Sequence, residues 1–439
     1  MRVCVIGLGK IGLPLAVQFA LKGSYVLGLD TNADVVRKVN AGVEPFPGEK
    51  DLDQYLNQCI RDGKFAATTD PATALANSDV VIVAIPLVID ENQNPDFRGF
   101  DEVTQLIGRF IKKNQLISYE TTLPVGTLRN RILPLIEKVS GLKAGEDFYL
   151  IHSPERVLTG QIFSDLRRYP KIVGGITTNC TTVGANFYKS VLDFDVRTDL
   201  KRENGVWVMD SSESAEFVKI AETTYRDVNI ALANQFAKFA FTKNLDIFKI
   251  IEAANSQVHS HIHSPGISVG GHCIPVYPHF YLFSDPNSSL VQQARETNES
   301  MPAYFVEELE KSMGSVHQQS VLVLGVSYRP GVKESAFSGA IVLDTILRRK
   351  GAKTFFVDPF YSNQEIKGLG LTPYESSFGS RISGIIIHTG HPEFKDFDFD
   401  QFSNLRCLID GRNFASGIVG NLDTKFVVFP PITSDSRKH

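Results

Sequence analysis

Cys273 lies in SVGGHCIPVYPHF, between paired glycines and a run of prolines. That composition disfavours a regular helix or a central strand, so the thiol is expected on a constrained loop rather than as one more buried small hydrophobe. Two other side chains raise the same question. Lys219 falls in SAEFVKIAETTYRDVNIALANQFAKFAFTKNLD, where Lys219, Glu222, Thr223 and Arg226 recur at i, i+3, i+4 and i+7 and share one helix face. Such a stripe is ordinarily a solvated side. Here Phe217, Ile220, Ala221, Ile230, Leu232 and Phe236 imply that much of the helix is buried, and a lysine on a buried helix needs a partner or a task. Glu155, in HSPERVLTG, stands beside Arg156 and reads either as half of a surface ion pair or as a working carboxylate.

A cofactor signature precedes all three. VCVIGLGKIGLPLAVQFALKG sets Gly7, Gly9 and Gly12 directly after a strand and at the head of a helix. The first glycine suits the tight turn, the second lets backbone approach a pyrophosphate, and the third lets helix pack on strand. The pyrophosphate then sits on the helix amides. The next strand ends in Asp30, whose carboxylate accepts from a ribose 2′-hydroxyl and repels a 2′-phosphate, which favours NAD over NADP. Lys10 and Ile11 of the same turn, and Pro86 at the end of DVVIVAIP, complete the expected cofactor set. Beside a nicotinamide cofactor the thiol gains a meaning. Simple alcohol oxidation does not need one, but a thiohemiacetal can give up a hydride and become a thioester that water cleaves.

The elements that must position these residues are legible from apolar periodicity. RVCVIG, SYVLGLD, DVVIVAIP, QLISYE, FYLIHS and KIVGG alternate with helix-length segments, which predicts a doubly wound parallel sheet. YETTLPVGT and HSPERVLTG both follow strands, at the end of a parallel sheet where ligands bind. From Ser212 a helix of more than two dozen residues is predicted, long enough to join domains or to pack on its own copy. Strands return in SVLVLGVSY, TFFVDP, GIIIHTG and RCLID, and the tail ITSDSRKH reads as frayed. SVLVLGVSY carries only Gly325 and no glycine triplet, so its domain is expected to bind something other than the dinucleotide. The expected class is α/β: two Rossmann-like doubly wound domains joined by a long central helix. Boundaries are expected at 1–200 (NAD binding), 201–300 (helical, carrying the cysteine and dimerisation) and 301–439 (C-terminal α/β).

Composition agrees with an ordinary globular enzyme, at 43% hydrophobic and 21% charged residues, and a net charge of -4 gives no reason to expect nucleic acid. Five cysteines without a CxxC pair point neither to a disulfide framework nor to zinc. With no membrane-length apolar window and no signal peptide, a cytoplasmic protein is expected.

From Met1 to about Phe414 the chain resembles the UDP-glucose/GDP-mannose dehydrogenase family, in the branch acting on UDP-N-acetylmannosamine or UDP-N-acetylglucosamine. The resemblance rests on GLGKIGLP, TTLPVGT, GEDFYLIHSPERVLTGQ, TYRDVNIALAN, VGGHC, SMPAYFV, VSYRP, VDP and HPEF, in the family's order. It implies a four-electron oxidation of a UDP-sugar at C6 with NAD, in a homodimer joined through the central helix. Cys273 would be the nucleophile, Lys219 would stabilise the alkoxide and oxyanion, Glu155 would activate water, and Thr122 would support cofactor or water. Gly270 and Gly271 would let substrate approach beside the cysteine, while Tyr328 and Arg329 would contact the nucleotide. Arg156 matches an arginine of the N-acetylhexosamine branch, and Val157, Thr223, Arg226, His259 and Tyr277 complete the implied substrate set.

Four positions depart from the family pattern. Tyr277 replaces an aspartate, Thr223 an asparagine, His259 an arginine that reaches the sugar from a neighbouring subunit, and Ala336 an arginine near the cofactor. They leave open the sugar and a catalytically weakened binding protein. A two-electron hydroxyacid dehydrogenase is the other alternative, though it gives Cys273 no role. His259, His261 and His263 alternate as metal ligands would, but no carboxylate or cysteine cluster accompanies them, and no metal is expected.

Overall fold

A computed structural model describes residues 1–414 and 427–430, so ITSDSRKH lies outside the described residues. The chain divides into two compact units: Met1–Glu222 with His279–Pro286, and Thr223–Pro278 with the rest from Asn287.

In the first unit the strands are β1 (Arg2–Ile6), β2 (Tyr25–Leu29), β3 (Phe65–Thr68), β4 (Val80–Val83), a small hairpin β5 (Val88–Ile89) and β6 (Pro95–Asp96), β7 (Leu116–Tyr119), β8 (Tyr149–His152), β9 (Lys171–Gly175) and β10 (Val206–Val208). Eight of them form one sheet in the order β10-β9-β8-β7-β4-β1-β2-β3. All the predicted strands are present, and from β8 to β3 every pair is parallel. β9 departs, pairing antiparallel to β8 with Ile151 opposite Gly175, and β10 then runs parallel to β9. Apolar runs could not show this reversal, because a strand buried on both faces reads the same in either direction. β3 escaped the sequence reading for a different reason: FAAT is short, and two of its four residues are alanine.

The second unit holds β11 (Ser320–Leu324), β12 (Lys353–Val357), β13 (Ile382–Ile387), β14 (Cys407–Asp410) and β15 (Val427–Phe429), a parallel sheet in the order β12-β11-β13-β14-β15. Its core gathers Val321, Val323, Ile386 and Ile409 from the strands with Met301, Phe305 and Leu309 from a helix at Ser289–Met313. That 25-residue helix was not anticipated; Pro302 lies inside it and reads in sequence as a breaker.

The predicted long helix runs from Ser212 to Thr242, 31 residues that begin in the first unit and end in the second. Its packing corrects one expectation. The buried apolar positions are Ala215, Ile220, Ala231, Ala233, Ala237 and Ala240, whereas Phe217, Leu232 and Phe236 are exposed at 44%, 46% and 41%. Small side chains allow close approach on the inward face, and the aromatic stripe looks outward. Among the described residues no helix is long and apolar enough to cross a membrane.

Candidate functional site

In the first unit the carboxyl ends of four neighbouring parallel strands, β7, β4, β1 and β2, present loops side by side. Gly7 turns the chain at φ +89°, and a Cβ there would stand 3.0 Å from the Ala84 carbonyl of the loop after β4. At Gly12 a Cβ would meet the Gly7 carbonyl at 1.8 Å, so only glycine lets the helix Gly12–Leu21 begin there. A Cβ on Gly9 would meet nothing within 4 Å, the opening through which a pyrophosphate reaches backbone. Asp30, after β2, accepts from the Leu8 amide at 2.8 Å and the Asn32 amide at 2.8 Å. Each oxygen keeps a further lone pair for a ribose hydroxyl. Lys10 and Pro86 are exposed and Ile11 half-buried on the same loops, and Thr122 is buried just beyond β7. The residues present therefore fit a dinucleotide. Glu216 of the long helix pins the TTLPVGT segment, accepting from the amides of Gly126 at 2.6 Å and Leu128 at 2.7 Å; burial pushes its carboxyl up to about 8.

Glu155 opens the loop after β8, and its ion-pair partner is not the Arg156 guanidinium. The Lys171 ammonium at the start of β9 donates to Glu155 Oε2 at 2.8 Å and to Glu120 Oε2 at 2.6 Å. Glu155 Oε1 accepts from the Arg156 amide at 2.6 Å and the Val157 amide at 3.2 Å. Glu120 Oε1 takes the Tyr188 hydroxyl at 2.6 Å, and that oxygen also lies 2.7 Å from Ser118 Oγ. Burial alone would raise both carboxyls. For Glu155 the Lys171 ammonium, then the Arg156 amide and a hydrogen bond with Glu120, outweigh burial and hold it below its ordinary value, whereas Glu120, which burial dominates, is pushed up to about 7. The two directions differ although both carboxylates share one lysine.

Arg156 instead pairs with Glu222 at 2.7 Å, and Lys219 stands 3.7 Å from the same carboxylate. Lys219 is 6% exposed, which removes the solvated-face reading for this part of the helix. Beyond it on the helix Thr223 is buried and Arg226 exposed. Lys171, Glu120 and Tyr188 were missed in the sequence. A lysine opening the apolar strand KIVGG was the available signal, since a buried ammonium requires anionic partners.

In the second unit Cys273 lies on an irregular loop, half-buried, and its carbonyl accepts from the amides of Val276 at 3.2 Å and Tyr277 at 2.9 Å. The glycines before it make room for Tyr328. A Cβ on Gly270 would come within 2.6 Å of Tyr328 Cβ, and one on Gly271, where φ is +90°, within 2.9 Å of the ring. The Gly271 amide donates to the Ala336 carbonyl at 2.9 Å, and Arg329 Nε lies 3.1 Å from the Tyr328 hydroxyl. The structure thus brings Gly270, Gly271, Tyr328, Arg329 and the backbone of Ala336 into one cluster beside the cysteine loop, while His259 is exposed on another loop.

After β12, Asp358 occupies the place that Asp30 holds in the first unit, but it is buried and already engaged. It accepts from the amides of Val326 at 2.7 Å and Ser327 at 2.9 Å and from His391 at 3.1 Å. Burial opposes its charge, yet His391 and the backbone amides hold the carboxyl at about 2.

Comparison with known proteins agrees over most of the chain. Models of the UDP-glucose/GDP-mannose dehydrogenase family match its NAD binding domain at residues 1–192, its central domain at 213–300 and its UDP binding domain at 322–417. The UDP-N-acetyl-D-mannosamine dehydrogenase of Pyrococcus horikoshii is 32% identical over 424 residues, covering 94% of this chain and 96% of that protein. A solved structure of the P. horikoshii UDP-D-ManNAc dehydrogenase superposes with a TM-score of 0.85 at 30% identity, over 98% of this chain and 99% of that one. The UDP-N-acetyl-mannosamine dehydrogenase Cap5O of Staphylococcus aureus gives 0.79 at 31%, over 97% and 96%.

Proposed function

The chain belongs to the UDP-glucose/GDP-mannose dehydrogenase family, NAD-dependent enzymes, and on that premise we propose that it oxidises C6 of a UDP-N-acetylhexosamine to the uronic acid. UDP-N-acetylmannosamine is the foremost candidate, after the names of its relatives. The observation that carries the reading is the packing of the VGGHC loop on Tyr328 and its neighbour Arg329, in the segment matched by the UDP binding domain.

Cys273 is the nucleophile in this scheme. Its sulfur bonds to the C6 aldehyde carbon left by the first oxidation, and the carbonyl oxygen takes the proton, which gives a thiohemiacetal. Loss of a hydride and of the hydroxyl proton leaves a thioester. Water then adds to the acyl carbon, Glu155 takes its proton, the carbon–sulfur bond breaks and that proton passes to the departing sulfur, which restores the thiol. NAD, when bound, accepts one hydride at each oxidation, so one sugar consumes two molecules. The Lys219 ammonium stabilises negative charge on the sugar oxygen in both oxidations, Thr122 borders the cofactor, and Asp30 selects NAD. Gly270, Gly271, Tyr328 and Arg329 hold the nucleotide sugar; Arg156, Val157, Thr223, Arg226, His259 and Tyr277 complete its surroundings.

The exposed residues Tyr225, Leu232, Phe236 and Phe239 form one apolar stripe on the second-unit part of the long helix, and we read them as the seam of a homodimer. A monomer mass in sedimentation at micromolar concentration would contradict that. The substrate reading is tested by initial rates with UDP-N-acetylmannosamine, UDP-N-acetylglucosamine and UDP-glucose, each with NAD and with NADP. The mannosamine derivative with NAD is expected to be fastest, with NADP slower by about two orders of magnitude or more. UDP-glucose as the best substrate would overturn the sugar, and equal efficiency with NADP the role of Asp30.

A further inference from the structure

The Lys171 bridge has no part in the scheme above. Its ammonium is 5% exposed and joins two carboxylates whose own exposures are 1% and 11%. Two carboxyls beside one buried cation cannot both carry full charge cheaply away from water, and burial raises Glu120 while the ammonium keeps Glu155 low. The donors are divided unequally, with two backbone amides on Glu155 and one phenol on Glu120.

We propose that Lys171 is a positioning residue for thioester hydrolysis: its ammonium holds the Glu155 carboxylate charged and fixed, with Glu120 and Tyr188 anchoring the lysine from the other side. The inference rests on the reading of Glu155 as the base toward water. A charged carboxylate can take a proton from water and a neutral one cannot, so the clamp sets the lowest pH at which hydrolysis runs. The alignment follows from the same contacts, because one Glu155 oxygen is tied to Lys171 and the other to the loop backbone, which leaves the carboxylate no freedom to rotate. Lys171 also lies 4.9 Å from the centre of the Tyr188 ring, so the aromatic face supports the cation that the Tyr188 hydroxyl serves indirectly. Other titratable groups near Glu155 are His152, held neutral because burial and the Lys171 charge lower it to about 3, and Asp165 across the loop.

The sign is fixed by the charge removed. Without the ammonium, burial, the largest effect on Glu155, favours its protonated form, so its titration moves up. In Lys171→Met the decay of the acylated enzyme, followed by intact mass after mixing with NAD and the fastest UDP-sugar, is expected to slow by about tenfold or more at neutral pH, and the acid limb of its pH profile to move up by about one unit or more. Lys171→Arg, which keeps the charge and offers donors to both carboxylates, is expected to restore most of the rate and the original limb. Lys171→Gln keeps a donor without the charge and replaces Lys171→Met if that variant does not fold. A neutral variant that decays with the wild-type profile overturns the inference. Glu155→Gln is run beside them. If it turns over normally the reading of Glu155 falls; if it accumulates acyl enzyme while the Lys171 variants behave as wild type, only the role of Lys171 falls.

Discussion

Cys273→Ser is expected to leave the protein folded and to abolish four-electron turnover, with a loss on the order of a thousandfold or more, as for other enzymes deprived of their nucleophile. Oxygen replaces sulfur at a half-buried position on an irregular loop, where one atom of slightly smaller radius disturbs no packed core. The chemistry changes far more. A serine hydroxyl is almost wholly protonated at neutral pH and has no thiolate fraction from which to attack. Even if it added to the aldehyde, the oxygen ester would hydrolyse more slowly than a thioester. The check is NADH counted against sugar consumed, with intact mass in parallel. A serine variant that steadily yields two NADH per sugar would remove Cys273 from the mechanism.

For Glu155→Gln the expected result is a protein that acylates and then stalls, so its mass rises by one sugar acyl group and deacylation slows by about a hundredfold to ten-thousandfold. The amide also tests the local network. Glu155 meets three donors, the Lys171 ammonium and two backbone amides, while a glutamine has one acceptor oxygen and must turn its own N–H groups toward one of them. A mismatch of that kind costs about 1–3 kcal/mol, so a lower melting temperature is expected together with the stalled intermediate. Wild-type turnover in this variant would exclude Glu155 as the base.

The chain discloses its machinery unevenly, for identifiable reasons. The glycine turn and Asp30 are local: three glycines, a strand before and an acid after give the loop its shape, and the structure adds only the distances. The VGGHC loop was legible as irregular, and its glycines as room for substrate, but not that Tyr328 packs against them. Their partner, Tyr328, comes from a distant segment, and no spacing rule connects them. The Lys171 bridge was hidden for the same reason, because Glu120, Glu155, Lys171 and Tyr188 are brought together only by the order of β7, β8 and β9 and the helix Thr178–Val191. Without that order Glu155 read either as half of an ion pair with Arg156 or as a working carboxylate. The reversal of β9 is a further case: KIVGG announces a buried strand and nothing about its direction. Long helices divide likewise. Ser212–Thr242 has no internal Gly or Pro and reads plainly, while Ser289–Met313 survives its proline because the residues around it are buried in the core of the second unit.

The central claim is that one chain carries a sugar through two oxidations, with the intermediate covalently held. A single experiment bears on it most directly. A limiting amount of UDP-N-acetylmannosamine is consumed with excess NAD, NADH is counted by absorbance, and samples quenched early are weighed intact and after digestion across Cys273. The account predicts two NADH per sugar, the UDP-sugar acid as the final product, and a transient acyl mass on the peptide that contains Cys273. One NADH per sugar with a free aldehyde as product, or two NADH with no acyl group ever on that peptide, would contradict it.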